Sequence, residues 1–370
     1  MTGDRGVLVH EWIAQAGGSE NVFQAMNGIY PDADLVCLWN DSTGRFDVDR
    51  LRETWLARTP LRRSKAAALP LMPIAWRRLA YNDYAWALIS SHLFAHHAHF
   101  VGQPPGFRRY VYVHTPARYI WSPELDGRGN SLAIRMMAAA LKPLDRHRAQ
   151  EGASFAANSQ FVRQRIKAAW GVDSRVIFPP VEVEALQSVA DWRTKLSEPE
   201  RLQVDELPEG FFLGASRFIP YKRLDLVIAA GEAAGRPVVL AGRGPELENL
   251  RMTATSATVP VHFVVSPSGP MLWALYQQAA LYVFPAIEDF GIMPVEAMAL
   301  GTPVLAQALG GTAESVRSEA TGALITFRSR DEMAEGAAVA LGAEADSCLA
   351  RADHFSRRRF QERITTWVGV

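Results

Sequence analysis

The amino-acid sequence predicts an α/β protein built from two domains, and three observations point to this fold class. The chain has 370 residues, 48% of them hydrophobic, which suits two domains of somewhat under about 200 residues each. Short runs of β-branched and aromatic residues alternate with segments of helical period, which is typical of parallel sheets with crossover helices. A polar segment, 181–210, lacks strand character and separates two such sets of runs.

We predict seven strands before this segment: "GVLVH", "DLVCLW", "YAWALIS", "HFVG", "RYVYVH", "ASFAAN" and "RVIFPP". Five are predicted after it: "GFFLGAS", "RPVVLAG", "VHFVV", "ALYVFPA" and "TPVLA". The boundary is expected within 181–184, so that residues 1–182 form an N-terminal domain and 183–353 a C-terminal domain. The last segment, 354–370, has hydrophobic residues at helical spacing and is expected to cross back onto the N-terminal domain.

Charge and cysteine content exclude several classes of protein. Basic and acidic residues number 39 each, so no net field recruits nucleic acid. Cys37 and Cys348 lie in no metal or redox spacing, which fits a reducing cytoplasm. The first residues lack the pattern of a signal peptide, and the longest apolar run, 66–76, contains two prolines. We therefore expect a cytoplasmic protein without a membrane span.

Two glutamates, Glu288 and Glu296, lie within the apolar and glycine-rich segment 284–306. A buried carboxylate costs several kcal/mol unless it is paired or hydrogen-bonded, so this setting indicates a binding site. The run "ALYVFPA" predicts a strand, and "PVEAMALG" predicts a helix that starts at Pro294 and stops at Gly301. The loop between them leaves the carboxyl end of a strand, where ligands bind in open α/β sheets.

The same loop suits phosphate. Gly291 permits close approach of the backbone to a ligand, and unpaired N–H groups at a helix start bind phosphate oxygens. Glu296 in the first turn also stabilises the helix dipole, and that structural role would suffice if it stood alone.

Basic residues and glycines follow two further strands. Arg217 and Lys222 come after "FFLGAS", while Gly242 and Gly244 come after "RPVVLA". Cations neutralise phosphates, and carboxylates accept hydrogen bonds from ribose and sugar hydroxyls. These strand ends together predict a nucleotide-sugar site, whereas the incomplete "GRG" is a weak dinucleotide motif.

The chain resembles a family 4 glycosyltransferase of the two-Rossmann GT-B fold. The Glu-x7-Glu motif of that family matches "EDFGIMPVE", and its phosphate-binding pair matches Arg217 and Lys222. Five segments of the N-terminal half resemble the branch of O-antigen mannosyltransferases: "VHEWIAQAGGSENVFQAMNGIYPDADL", "LPLMPIAW", "YVHTPARYIW", "AANSQFVRQRI" and "VIFPPVE". The resemblance runs from about Val7 to about Phe327. It departs at Glu11, where the branch usually has aspartate, and in the longer linker after Val181.

The resemblance implies two domains whose sheets face across a cleft, with the nucleotide sugar on the C-terminal domain. Glu296 would hold the ribose hydroxyls, and Glu288 would hold hydroxyls of the transferred sugar near its anomeric carbon. Backbone N–H groups around Phe290, Gly291 and Ile292 would meet the sugar and diphosphate.

The resemblance also implies roles in the N-terminal, acceptor-binding domain. His114 would face the donor sugar, with Arg118 nearby, and Gly17 and Gly18 would form a turn that approaches the diphosphate or the acceptor. Transfer would retain the anomeric configuration, with the leaving diphosphate as base. The donor would be GDP-mannose or another GDP- or UDP-linked sugar, with no cofactor and no metal, because Arg217 and Lys222 supply fixed positive charge.

Two other groups resemble metal sites. "SHLFAHHAHF" contains His92, His96, His97 and His99, and a histidine pair at i, i+4 on a helix can bind zinc. No third ligand is evident, so a structural role is favoured. Asp32 and Asp34 form an Asp-x-Asp pair before a strand, at the wrong end of the sheet for chemistry, so a surface loop is favoured.

The segment 62–80 interleaves basic with apolar and aromatic residues: Arg62, Arg63, Lys65, Arg77 and Arg78. This pattern fits peripheral contact with an anionic membrane near a lipid-linked or other glycan acceptor. A helix and loop with solvated arginines fit it equally well.

Three functions are open on the sequence alone. The first is a retaining hexosyltransferase, the second a nucleotide-sugar epimerase with the same fold, and the third a sensor that binds nucleotide sugars without catalysis. The glutamate pair, the Arg217 and Lys222 pair, and "HTPARY" together favour the transferase.

Overall fold

The structure, a computed structural model, describes residues 5–121 and 132–369. It divides into two compact units. The first unit runs to Pro180 and takes up the chain again from Phe360, and the second unit is Val181–Arg359. Each unit has a main sheet whose strands pair in parallel, with helices in the connections. The α/β fold class predicted from the sequence is confirmed.

Within the described residues, the first unit has nine strands: β1 (Gly6–His10), β2 (Asp34–Cys37), β3 (Leu51–Glu53), β4 (Leu79–Ala80), β5 (Trp86–Ser91), β6 (Phe100–Val101), β7 (Arg108–Val113), β8 (Ser154–Ala157) and β9 (Arg175–Val176). Seven form one sheet in the order β3-β2-β1-β5-β7-β8-β9, and β4 pairs with β6. Every residue of β1 is buried. A strand covered on both faces needs a continuous apolar run rather than alternation, which explains "GVLVH".

The first unit also contains six described helices before the boundary: α1 (Gly18–Ile29), α2 (Lys65–Ala68), α3 (Met72–Trp76), α4 (Arg118–Trp121), α5 (Leu132–Ala149) and α6 (Gln160–Trp170). Local sequence sets the ends of α6. The Ser159 hydroxyl accepts a hydrogen bond from the Val162 N–H at 3.0 Å, and Gly171 ends the helix at φ 74°. Both are common capping devices.

The second unit has six strands: β10 (Phe212–Arg217), β11 (Val238–Arg243), β12 (Val261–Val265), β13 (Leu281–Phe284), β14 (Val304–Gln307) and β15 (Gly322–Ile325). They form one parallel sheet in the order β12-β11-β10-β13-β14-β15. Its helices are α7 (Val183–Gln187), α8 (Glu198–Asp205), α9 (Asp225–Ala234), α10 (Leu247–Thr255), α11 (Gly269–Gln278), α12 (Ile292–Ala299), α13 (Arg330–Leu341) and α14 (Ala345–Asp353). The polar segment 181–210 supplies α7 and α8, and its Trp192 packs on Trp273 with ring centres 4.3 Å apart.

The predicted start of α12 at Pro294 was wrong by two residues. The helix begins at Ile292, after Gly291 at φ 84°. Proline is tolerated in this first turn because the first N–H groups of a helix have no intrahelical acceptor. The helix ends at Ala299, two residues before Gly301, whose φ of 84° suits a helix end.

The last helix, α15 (Arg357–Val368), carries the chain back into the first unit. Phe360, Ile364 and Trp367 are buried in the apolar cluster that also contains Tyr112. The indole N–H of Trp367 donates to the Ser154 hydroxyl at 2.9 Å. Burying each of these large apolar side chains contributes about 1.5 to 3 kcal/mol to stability. The predicted return of the last helix to the first unit is confirmed. No helix of the described residues could span a membrane, given its length and polarity.

Candidate functional site

Three neighbouring strands of the second unit end at the same edge of its sheet. β11, β10 and β13 are adjacent and parallel, so the segments after Arg243, Arg217 and Phe284 leave the sheet side by side. Ligands bind at this edge in open parallel sheets. The residues predicted from the second half of the sequence follow these three strand ends.

Lys222 and Glu288 form an ion pair at this edge. Lys222 ends a 3-10 turn, Pro220–Lys222, and its Nζ lies 2.5 Å from Oε1 of Glu288. The two side chains keep only 11% and 16% of their surface exposed. The same Nζ lies 5.3 Å from the ring centres of Phe284 and Tyr221, close enough for cation–π attraction. The pair therefore fixes a positive and a negative group next to each other.

Arg217 extends the positive charge of this edge. It is the last residue of β10 and is exposed. Its guanidinium donates to the Tyr221 hydroxyl at 3.2 Å, and no carboxylate of the described residues lies within ion-pair distance of it. A planar guanidinium in this position suits bidentate binding of phosphate.

The loop that carries Glu288 rests on a second glycine turn. The Gly311 N–H donates to the Glu288 carbonyl oxygen at 2.7 Å, and the Thr312 hydroxyl donates to the Phe290 carbonyl oxygen at 3.2 Å. A Cβ atom on Gly311 would lie 2.0 Å from a carbonyl oxygen of this loop, and one on Gly291 would lie 2.4 Å from the Thr312 hydroxyl. Only glycine permits this contact between the two turns.

Gly242 lies in β11 opposite Ser216 of β10, and Gly244 lies in the loop that follows β11. Their φ angles are 143° and 155°. A Cβ atom would lie 1.8 Å from the Ser216 carbonyl oxygen at Gly242 and 2.2 Å from the Phe218 carbonyl oxygen at Gly244. These glycines therefore allow two backbone segments to touch, which is a structural requirement in its own right.

The start of α12 supplies free backbone donors. Gly291 precedes the helix and no side chain caps it, so its first N–H groups can bind a ligand's oxygens. Glu296 lies one turn along, and burial raises the pKa of its carboxyl to about 7. Burial first, and the neighbouring Glu296 to a lesser extent, raise the pKa of Tyr276 and Tyr282. Ligand hydroxyls that donate to Glu296 would stabilise its charged form.

A cavity of about 460 Å³ opens beside these groups. The ends of β10, β11 and β12 line it with small residues and two arginines, and α11 and α12 add one apolar side chain each. The lining residues are Ala215, Ser216, Arg217, Ala241, Gly242, Arg243, Ser266, Pro267, Leu272 and Met293. Its size and largely apolar wall fit an organic ring such as a base, with charge at one side.

The first unit has its own polar cluster at the carboxyl edge of its sheet. His114 follows β7, and its Nε2 lies 2.8 Å from the Ser90 hydroxyl of β5. That hydroxyl lies 3.0 Å from Nδ1 of His10, the last residue of β1. The His92 ring centre is 5.6 Å from that of His10 and 6.3 Å from that of His114. Burial lowers the pKa of His92 to about 3 and that of His114 to about 4, so both imidazoles are neutral near pH 7.

Gly17 and Gly18 lie on the same unit, at the start of α1. The buried carboxylate of Glu20 accepts from the Ala14 N–H at 3.2 Å and from the Ser19 hydroxyl at 2.8 Å. A Cβ atom on Gly17 would lie 2.1 Å from a Glu20 carboxylate oxygen. Gly17 is thus needed for the close approach of Glu20, while Gly18 is exposed.

The family comparison concerns the second unit. Residues 200–352 match the family model described as glycosyl transferases group 1. The match covers all six strands of that unit and the ion pair between Lys222 and Glu288. The second unit therefore resembles the group 1 glycosyltransferases over these residues.

Curated relatives match this chain over only part of their length. The chain is 29% identical over 195 residues to a GDP-mannose-dependent alpha-(1-6)-phosphatidylinositol monomannoside mannosyltransferase of Mycobacterium tuberculosis, which is 49% of this chain and 50% of the relative. It is 33% identical over 153 residues to a D-inositol 3-phosphate glycosyltransferase of Mycobacterium avium, which is 39% of this chain and 36% of the relative. The chain spans about half the length, or less, of these curated relatives.

Solved structures show the fold of the whole chain. HepE of Anabaena in complex with UDP-glucose gives a TM-score of 0.70 at 18% identity, over 98% of this chain and 99% of that one. A sucrose-phosphate synthase of Thermosynechococcus elongatus gives 0.69 at 18% identity, over 98% of both chains. The predicted resemblance to GT-B glycosyltransferases is confirmed, while its assignment to the O-antigen mannosyltransferase branch stays a prediction.

Two of the predicted site residues, Phe290 and Arg118, have surroundings that limit which atoms could contact a ligand. Phe290 is buried, with its ring centre 5.4 Å from that of Phe355, so only its backbone can face a ligand. Arg118 is partly buried at the start of α4, which leads into residues outside the described part of the chain.

The histidine segment contains a short 3-10 turn, Ala95–His97, and no helix with His92 and His96 on one face. The i, i+4 pair on which the less favoured zinc alternative depended is therefore not formed by these described residues. His96 and His97 instead lie with their Nε2 atoms 3.2 and 3.0 Å from Oδ1 of Asp145. The other oxygen of Asp145 accepts from the indoles of Trp121 and Trp170, both at 2.7 Å. This carboxylate therefore has three hydrogen bonds in the core, with His97, Trp121 and Trp170, while Nε2 of His96 lies near it without a hydrogen bond. The ligand atoms of His96, His97 and Asp145 also lie within 4.8 Å of one another.

The Asp-x-Asp pair is not wholly a surface loop. Asp34 starts β2 and is buried, where its carboxylate pairs with Arg5 at 2.9 Å and accepts from the Tyr84 hydroxyl at 2.7 Å. Asp32 is exposed. The two carboxylates therefore have different surroundings, and Asp34 has a structural role.

The basic segment 62–80 is mostly helical and partly core. Trp76 and Met72 are fully buried, so they cannot enter a membrane. Arg62 pairs with Asp41 at 2.7 Å, and Arg77 with Glu151 at 2.6 Å. Exposed groups remain, among them Arg63, Lys65, Ile74 and Arg78, and membrane contact through them stays a prediction.

Several residues at the carboxyl edges of the two main sheets were not predicted from the sequence. Gly311 and Thr312 support the Glu288 loop, and the pair of glycines in "ALGGTAE" directly after a predicted strand is the signal that could have found them. His10 and Ser90 lie beside His114. Their only signal is a polar residue at the end of an apolar strand.

Proposed function

We propose that this chain is a retaining glycosyltransferase that moves a hexose from a nucleotide sugar to a hydroxyl group of an acceptor. One observation carries the proposal: a lysine and a glutamate are paired at the carboxyl edge of a group 1 glycosyltransferase domain, beside an uncapped helix start. Fixed cations, backbone donors and a carboxylate are the groups that a sugar diphosphate needs.

Each group has a part in the proposed transfer. Arg217, Lys222 and the N–H groups at the start of α12 bind the diphosphate, and Glu296 accepts from the ribose hydroxyls. Glu288 accepts from hydroxyls of the transferred sugar. The bond from the anomeric carbon to the diphosphate breaks, the acceptor oxygen bonds to that carbon on the same face, and the acceptor proton passes to a diphosphate oxygen. His114 of the first unit takes part as a hydrogen-bond partner of substrate oxygens.

The proposed donor substrate is GDP-mannose, and mannose is the sugar transferred. The mannosyltransferase of Mycobacterium tuberculosis that this chain resembles is named as GDP-mannose-dependent. The named lipid of that relative also supports a glycan or lipid-linked acceptor, with segment 62–80 as the proposed membrane contact. UDP-glucose is the competing donor, because the structurally similar HepE was solved with it.

A thermal-shift panel with GDP-mannose, UDP-glucose and a dTDP-sugar tests the donor. Tight binding to the folded state raises the unfolding midpoint, by about 2.7 kcal/mol of stability at 100 times the dissociation constant. We expect the largest rise with GDP-mannose. Product analysis with the bound donor alone then separates the functions: slow hydrolysis supports a transferase, conversion to another nucleotide sugar indicates an epimerase, and no change indicates a sensor.

A further inference from the structure

Three polar side chains form a hydrogen-bonded row across neighbouring strands of the first unit. His10 ends β1, Ser90 lies on β5, and His114 follows β7, and these strands are adjacent in the sheet. The Ser90 hydroxyl oxygen lies 3.0 Å from Nδ1 of His10 and 2.8 Å from Nε2 of His114. The Ser90 hydroxyl is buried, and the two imidazoles are its only hydrogen-bond partners among the described residues, so its single proton goes to one imidazole and its oxygen accepts from the other. The hydrogen bonds of the row therefore all have the same donor-to-acceptor direction.

The burial of His10 decides that direction. Its ring has no exposed surface and stacks on Phe23, with ring centres 4.9 Å apart and planes at 16°. Its Nε2 is buried and has no hydrogen-bond partner. A proton on Nε2 would leave a buried N–H without an acceptor, which is rarer in proteins than an unpartnered acceptor. The proton of neutral His10 therefore belongs on Nδ1, where it is donated to Ser90.

We infer that His10 and Ser90 are positioning residues that hold His114 as its Nδ1–H tautomer. His10 donates to Ser90, and Ser90 donates to Nε2 of His114, so the single proton of neutral His114 lies on Nδ1. His114 is partly exposed, and it offers a substrate a hydrogen-bond donor. It is not a general base. The significance for catalysis rests on the proposed transferase function, in which the diphosphate takes the acceptor proton.

Long-range proton–nitrogen NMR of the protein labelled with ¹⁵N-histidine tests the tautomer directly. The His114 signals are those that disappear in His114→Gln. We expect His114 to carry its proton on Nδ1 in the unmodified protein. A proton on Nε2 would overturn the inference, and this result does not depend on whether the chain transfers a sugar.

Activity tests the positioning role with a matched pair of variants. Ser90→Ala removes the central hydroxyl, while Ser91→Ala removes the next buried hydroxyl of β5, which lies near Glu11 and His96 instead. We expect Ser90→Ala to lower kcat roughly tenfold at nearly constant KM, to make His114 populate both tautomers, and to be partly rescued by Ser90→Thr. Ser91→Ala should leave the tautomer unchanged. An unchanged His114 tautomer in Ser90→Ala would contradict the role of Ser90.

Discussion

The contact between Lys222 and Glu288 joins two loops that are 66 residues apart in the sequence. Both side chains are largely buried, and removing one partner of a buried ion pair leaves a charge without compensation, which costs about 3 to 5 kcal/mol where burial is complete. Substitutions here act on stability as well as on binding. Conservative variants and a stability measurement are therefore needed to read the chemistry of this pair.

We predict that Glu288→Gln lowers kcat roughly 100-fold or more, the size of effect seen when one stabilising group of a transition state is removed. Glutamine keeps the shape of the side chain but loses the charge that is proposed to hold sugar hydroxyls. Affinity for the bare nucleoside diphosphate should stay within about threefold, because Lys222 loses a competing anion and its ammonium stays available for phosphate. Steady-state kinetics and titration calorimetry measure the two effects.

Glu248→Gln is the matched control for this change, because Glu248 is an exposed carboxylate on α10. Glu248→Gln should change neither kcat nor the affinity for the nucleoside diphosphate. If Glu288→Gln weakened diphosphate binding as much as turnover, Glu288 would belong to the phosphate site and not to the sugar site.

We predict that the double variant Arg217→Ala/Lys222→Ala lowers kcat/KM by roughly 100-fold or more. Each charge-assisted hydrogen bond contributes about 1.5 to 3 kcal/mol, and both cations are proposed to neutralise the leaving diphosphate. Arg223→Ala is the control, because this neighbouring arginine pairs with Asp225 at 2.9 Å and should have little effect.

The same cations lead us to expect transfer without a divalent metal. Metal-stripped protein in excess EDTA should keep its activity, and so should Asp32→Ala. Activity that is lost in EDTA and restored by magnesium or manganese would show that a metal ion, and not these cations, neutralises the leaving group.

At the scale of elements, the Glu288 loop depends on the turn Gly311–Glu314 that follows β14. We predict that Gly311→Ala destabilises the fold by about 1 to 3 kcal/mol, as overpacking does, and lowers donor affinity about tenfold. The reason is that its Cβ atom would lie 2.0 Å from the Asp289 carbonyl oxygen, so the loop must move. Thermal unfolding and donor titration measure the two consequences.

Gly28→Ala is the control for that substitution. Gly28 lies within α1, and a Cβ atom there would meet no atom within 4 Å. Alanine should be neutral or stabilising in this helix by up to about 1 kcal/mol. Donor affinity that survives Gly311→Ala unchanged would mean that the loop is held by other contacts.

The apolar central strands were predictable, whereas β3, β4 and β15, which lie at sheet edges or in the two-stranded sheet, were not predicted. β1 and β13 are buried along their whole length, so "GVLVH" and "LYVF" are continuous apolar runs. β3 has no fully buried residue and lies at the sheet edge, so its sequence has no such pattern. The start of α12 was misplaced because Pro294 is a strong local signal, whereas the positive φ of Gly291 depends on its contact with Thr312.

The candidate site also contains residues that the sequence predicted and residues that it did not. Lys222 and Glu288 were predictable because each follows a recognisable strand and belongs to a motif. The row His10, Ser90 and His114 was not, since its members are 80 and 24 residues apart and only strand order brings them together. Sequence periodicity carries no information about which parallel strands are neighbours.

At the scale of the whole molecule, buried histidines and buried glutamates respond to pH in opposite directions. Burial lowers the pKa of five imidazoles: His10, His92, His97, His99 and His114. Below pH 6.5 the unfolded chain binds protons that these folded groups do not, so stability falls as the pH falls. Burial raises the pKa of Glu11 and Glu296 to about 7. These two bind protons in the folded state first, so they stabilise it as the pH falls from about 7 to 4.5.

We predict that the free energy of unfolding decreases from about pH 6.5 to pH 5, because the five histidines with lowered pKa outnumber the two glutamates with raised pKa. Glu296→Gln removes one of the two compensating groups and should make this decrease steeper. Denaturant titrations at several pH values measure both slopes. Parallel curves for the variant and the unmodified protein would show that Glu296 has an ordinary pKa.

Because α15 returns to the first unit, the core of that unit is completed only after the second unit has been synthesised. Phe360, Ile364 and Trp367 belong to the core of the unit that is made first, yet nearly the whole second unit leaves the ribosome before them. At about 5 to 20 residues per second, the intervening 181–359 takes roughly 10 to 35 seconds to make. During that time the face around Tyr112 lacks its covering helix, so the nascent first unit is a natural client for chaperones that bind exposed apolar surface.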